Sequence, residues 1–199
     1  MMIYPLVRES SINRQRELLI AEDFSRKHFG ENCEVILGND ELGVPDAFVF
    51  NNEQLLACVE LVGYILGKIN EIKSLTQIGE FSFSVDVEKC TEVHSRQEHP
   101  YTLIRKKIFG ERQYQRYEAK HLILLIHTEV YVKNDSLCFA MDGMMQMNPS
   151  INNFMHHKNE IIEELKDSVS QSQPNQWDNV YIADYSYSPV VEQCPLIEV

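Results

Sequence analysis

The chain has 199 residues, of which 44% are hydrophobic and 24% charged, the makeup of a single soluble domain (1–199) able to bury a substantial core. A formal net charge of −12 excludes a protein that coats nucleic acid by overall attraction, while leaving room for a local basic face. Five scattered cysteines, odd in number and without a C-x-x-C pair, exclude a disulfide scaffold or a zinc ribbon and suit reduced thiols in a cytoplasmic protein.

The opening MMIYPLVRESS lacks the basic-then-apolar pattern of a signal peptide. From Ser11 to His28 the spacing predicts a helix, with Glu17, Ile20, Ala21 and Phe24 on one stripe and Gly30 closing it. CEVILG reads as a short strand, NDELG as a turn, and PDAFVF and LLACVELV as two strands joined through NNEQ. The last of these is apolar almost throughout, as a central strand covered on both faces would be. Residues 63–100 read as an insertion into the core, with no chemistry assigned.

From Pro100 to Lys120 a helical reading returns, with a possible break at Gly110. This segment gathers Arg105, Lys106, Lys107, Arg112, Arg116 and Lys120 against only Glu111 and Glu118, so positive charge is concentrated there. HLILLIH is a buried strand, and its LILLI core is far too short to cross a bilayer, so no membrane role is expected. EVYVKNDSLCFAM suggests a hairpin, NPSINNFMHHKNEIIEELKDSVSQ a helix capped by Ser150 or Asn152, and WDNVYIADYSYSPVV a closing strand. Strands that come three together and then alternate with helices predict an α/β fold, a central mixed sheet flanked by helices.

Two acids stand out within the apolar strands. Side chains alternate along a strand, so Asp46 shares a face with Phe48 and Phe50, and Glu60 with Leu56, Cys58 and Val62. An ionised carboxylate there is costly unless it is paired or bound to a cation. Two on neighbouring strands of a hairpin are most simply reconciled by a divalent metal, and Mg²⁺ commonly uses one or two carboxylates plus waters.

Pro45-Asp46 followed by Glu60-x-Val62, with Glu60 fourteen positions beyond Asp46, resembles the core motif of the PD-(D/E)XK nuclease superfamily. The order helix–strand–strand–strand–helix–strand is similar to that superfamily's restriction-endonuclease-like core. Glu17, with Glu22 as the fallback, matches the acidic residue that many members place near the metal on the first helix. Gln113 and Tyr117 in QYQRY resemble the Q-x-x-x-Y motif of the exonuclease branch.

The resemblance implies Mg²⁺ (or Mn²⁺) held by Asp46 and Glu60, with Glu17 contributing, and metal-assisted hydrolysis of a phosphodiester in DNA or RNA. Gln113, Tyr117, Arg112 and Arg116 would grip the nucleic-acid backbone. The departure is Val62, where family members usually carry a lysine that positions water and stabilises charge on the phosphate. Lys106, seven residues before Gln113 and on its face if the helix is unbroken, is the leading substitute; Lys107, Lys120 and Lys68 are others. The competing expectation is a non-catalytic module on a nuclease-derived fold that binds a protein partner. A homodimer would suit an enzyme that cuts both strands of a duplex.

Other signals are weaker. His94 and His99 lack helical ligand spacing, His156 and His157 would point apart on a helix, and His127 suits the core. Neither a G-x-x-x-x-G-K-[ST] nor a G-x-G-x-x-G loop is present. MDGMMQM reads as irregular packing or an interaction edge.

Overall fold

The computed structural model describes residues 12–39, 43–64, 100–110, 114–128, 131–133, 136–138, 149–172, 176–188 and 191–199. Helix α1 (Ile12–Phe29) leads to strand β1 (Glu34–Leu37) and then to the hairpin of β2 (Ala47–Asn51) and β3 (Gln54–Tyr64). Helix α2 (Pro100–Phe109), a 3-10 turn (Tyr114–Tyr117) and strand β4 (His121–Thr128) follow. A small hairpin, β5 (Tyr131–Lys133) and β6 (Ser136–Cys138), precedes the long helix α3 (Pro149–Gln171). Strand β7 (Asn179–Ala183), a second 3-10 turn (Val191–Gln193) and strand β8 (Leu196–Glu198) close the fold.

Six of these strands form one mixed sheet in the order β1-β2-β3-β4-β7-β8, while β5 and β6 pair with each other. The β1–β2, β2–β3 and β7–β8 pairs are antiparallel; β3–β4 and β4–β7 are parallel. The parallel pairs are joined by helices, because a parallel crossover needs a connection long enough to return to the same end of the sheet. The architecture is α/β.

Alternation along the strands builds two cores. Ala47, Val49, Ala57, Val59, Leu61, Ile123 and Leu125 meet Ile20, Ala21 and Phe24 of α1 on one face. Phe48, Cys58, Val62, Leu124, Ile126 and Ile182 meet Ile104 and Ile108 of α2 and Phe154, Ile161 and Leu165 of α3 on the other. With both faces covered, β3 and β4 are apolar over nearly their whole length, as the near-continuous LLACVELV and HLILLIH runs require. The β2–β3 turn is a two-residue loop with Asn52 and Glu53 both at positive φ (47° and 65°), a geometry whose twist matches that of the flanking strands. Gly30 (φ 98°) ends α1, and its N–H donates to the Arg26 carbonyl at 3.1 Å.

Two boundaries differ from the sequence reading. β3 continues through Gly63 and Tyr64, because its parallel pairing with β4 extends to Tyr64–Thr128, while α2 begins at Pro100, where the helical reading starts. The expected insertion therefore reduces to 65–99, which lies outside the described residues, as do Lys68, His94 and His99. The helix expected to run from Pro100 to Lys120 stops at Phe109 and resumes only as a 3-10 turn, so Lys106 and Tyr117 do not share one helix face. Strand β8 was not foreseen. Among the described residues, no helix is long and apolar enough to cross a membrane.

Candidate active site

The β2–β3 register places the two acids together. Ala47 pairs with Val59 and Phe48 with Cys58, so the next position outward sets Asp46 beside Glu60. At Asp46 the main chain has just left the ladder, and its side chain takes over the pairing: the Leu61 N–H donates to Asp46 Oδ2 at 2.7 Å. Glu60 lies on the face of the sheet covered by α2 and α3, in line with Cys58 and Val62.

The approach to Asp46 is held by backbone. The Gly38 N–H donates to the Asp46 carbonyl at 2.9 Å, and a Cβ at position 38 would run into the Pro45 carbonyl oxygen. Only glycine permits this close approach. The buried Arg14 of α1 donates through its guanidinium to the Gly38 carbonyl and pairs with Glu17 at 2.8 Å. Thus α1 is tied to the loop that presents Asp46, and Glu17 belongs to that tie.

Glu60 is only 3% exposed. Its Oε1 accepts from the Lys107 ammonium and its Oε2 from the Tyr114 hydroxyl. Lys107 reaches in from the last turn of α2, and Tyr114 from the 3-10 turn that follows. A charge-assisted bond at each oxygen is what a buried carboxylate requires.

The C-terminus of α2 is latched in turn. The Lys107 carbonyl accepts from Trp177 Nε1 at 3.1 Å and from Gln176 Nε2 at 3.3 Å, and Gln176 also donates to the Gly110 carbonyl. The Trp177 ring lies 6.0 Å from the Tyr114 ring, centroid to centroid. These bonds satisfy helix-end carbonyls that have no partner within the helix.

The electrostatics follow from the packing. Burial, then the negative charge of Glu60, push the Asp46 carboxyl up to about 7, against the opposing pull of the Leu61 N–H and the Lys107 ammonium; Glu17 adds a smaller push. Burial and the neighbouring Glu60 charge thus both favour the protonated form of Asp46. That is one way for two adjacent carboxylates to coexist; a cation is the other. Among the described residues no group of three or more His, Cys, Asp or Glu side chains could hold a metal. Two carboxylates completed by water are a donor set Mg²⁺ accepts.

The other expected residues are placed as follows. Glu17 is near enough to act on Asp46 by charge but is engaged by Arg14. Lys106 is exposed on α2, and it is its neighbour Lys107 whose ammonium meets Glu60. Val62 is packed in the apolar core opposite Ile126. Tyr117 is buried with its ring edge-on to Phe48 at 5.1 Å, so it belongs to the core. Arg112, Gln113 and the Arg116 side chain lie outside the described residues.

Tyr114, Trp177 and Gln176 were not foreseen. Tyr114 sits between the two residues that a Q-x-x-x-Y pattern singles out, and Trp177 follows a polar loop with no periodicity to mark it. Comparison of the chain with protein-family models, with curated proteins and with solved structures finds no match.

Proposed function

We propose that this protein is a Mg²⁺-dependent nuclease-like hydrolase of nucleic-acid phosphodiesters, built on a PD-(D/E)XK-like core in which Lys107 replaces the amine missing at Val62. One observation carries the reading: a lysine ammonium from α2 meets Glu60 and acts by charge on Asp46, although the strand position two beyond Glu60 holds a valine. Three antiparallel strands followed by a helix and a strand parallel to the third lend support, since this order is the one the resemblance implies.

In this reading Asp46 and Glu60 bind the cation, and the Leu61 N–H and Tyr114 hydroxyl orient the two carboxylates. The cation supplies Lewis-acid stabilisation of the scissile phosphate and lowers the pKa of water. Lys107 donates to a phosphate oxygen and stabilises the charge that develops there. Arg112 and Arg116, close in sequence to Tyr114, are the candidates for holding the rest of the backbone.

Titration calorimetry with Mn²⁺ and Mg²⁺, beside Asp46→Ala and Glu60→Ala, tests the metal. Saturable binding lost in both variants is expected, together with cleavage of single- or double-stranded DNA or RNA that Lys107→Met abolishes. The second reading, a non-catalytic module that binds a protein partner, draws on the engagement of both Glu60 oxygens within the chain. It predicts no metal binding by the wild-type protein.

A further inference from the structure

A divalent cation at Asp46–Glu60 and the Lys107 ammonium need the same carboxylate. Glu60 has two oxygens, and Tyr114 and Lys107 take one each. Tyr114 is almost wholly buried between the Val44 backbone, to whose carbonyl its hydroxyl lies within 3.5 Å, and the Trp177 ring. It is not free to withdraw. Lys107 is different: its side chain is 32% exposed, so its flexible stem has solvent to move into. Its backbone stays fixed, because Trp177 and Gln176 hold its carbonyl. Only the ammonium can yield.

We propose that Lys107 is a displaceable internal counter-ion: a divalent cation entering at Asp46 and Glu60 displaces its ammonium from Glu60, and this displacement frees the amine for the phosphate. The inference rests on the metal-dependent reading above and adds a regulation to it. Lys107 reaches phosphate only after the cation has taken its place, so cation binding and arming of the amine are one event. The same competition weakens cation binding, because the ion pair must be broken first. The phenol of Tyr114 keeps its hold on Glu60 throughout.

Two measurements test this. The first is Mn²⁺ affinity by calorimetry for wild type, Lys107→Met and Arg105→Met, the last removing an exposed positive charge from the same helix. With the competitor gone, Lys107→Met is expected to bind at least about tenfold more tightly, while Arg105→Met changes affinity less than about twofold. The second leaves Lys107 in place: labelling of Lys107 by an amine-reactive reagent, read by mass spectrometry with and without Mn²⁺. Labelling is expected to rise several-fold with Mn²⁺, and not in Asp46→Ala.

Unchanged or weaker affinity in Lys107→Met, with wild type still binding, overturns the displacement while leaving the metal site standing. Absence of binding in both folded proteins overturns the site and the displacement together. If Lys107→Met does not fold, the labelling decides alone: Lys107 equally protected with and without Mn²⁺, at concentrations that saturate wild type, refutes the proposal.

Discussion

His127 shows how far burial can move a single group in this protein. It sits near the end of β4, buried, with Nδ1 3.0 Å from the Thr128 carbonyl oxygen. Burial lowers its pKa to about 4, against the opposing bond to the Thr128 carbonyl and with a smaller contribution from the positive charge of Arg16. The folded protein thus keeps the imidazole neutral at pH values where the unfolded chain protonates it. Stability from this residue is complete above about 6.5 and is lost as pH falls toward 4, by about 3 kcal/mol over the window. Asp46 acts in the opposite sense: its pKa is raised, so its contribution is complete below about 4 and is lost as pH rises through 7. Urea unfolding of wild type and His127→Gln between pH 4.5 and 7.5 separates the two, because only the histidine differs. The gap in stability between the proteins should shrink steadily as pH falls. A gap independent of pH would mean that His127 is not held neutral by the fold.

The elements differ in how plainly the sequence announced them, and the reasons are physical. α1, β3, β4 and α3 are long and either periodic or continuously apolar, so burial itself writes the pattern. β8 has three residues, half-buried or exposed, on the edge of the sheet, too short for any alternation to register. The break after Phe109 was visible as Gly110, but whether a helix resumes after a glycine depends on tertiary contacts.

At the site, Asp46 and Glu60 were legible because acids in apolar strands conflict with their surroundings. Lys107 could not be chosen over Lys106 on composition alone. The choice is made by the rotation of α2, which buries Ile104 and Ile108 and thereby turns Lys107, not Lys106, toward Glu60. That rotation is fixed by the latch from Trp177 and Gln176, residues about seventy positions away. Trp177→Phe removes the indole donor while keeping an aromatic ring beside Tyr114, and should cost about 1–2 kcal/mol. Hydrogen exchange should then quicken selectively in the last turn of α2. Unchanged protection there would show that Gln176 or packing alone holds the helix end.

At the scale of the molecule, 30 acidic side chains face 18 basic ones, so the folded surface works against its own charge. Among the described residues the ion pairs sort by depth. Lys107–Glu60, Lys158–Asp184 and Lys27–Asp23 each carry a nearly buried acid, whereas Lys166–Glu163 and His157–Glu160 lie open to solvent. Salt screens exposed charges over about 10 Å at 0.1 M and barely touches buried pairs. The attractive contacts that matter most are therefore the ones salt does not reach, while the long-range repulsion among surface acids is what it relieves.

Raising KCl from about 10 mM to about 200 mM, with a chelator present, should stabilise the fold. A relief on the order of 1 kcal/mol would lift the melting temperature by roughly 2–4 °C in a chain of this size. Lys107→Met should show nearly the same salt increment as wild type, because the acid of the pair it breaks, Glu60, is buried even though the lysine reaches solvent. A melting temperature that falls with added salt would mean that exposed attractions outweigh the repulsion. An increment that changes in Lys107→Met would mean that solvent and salt already reach Glu60.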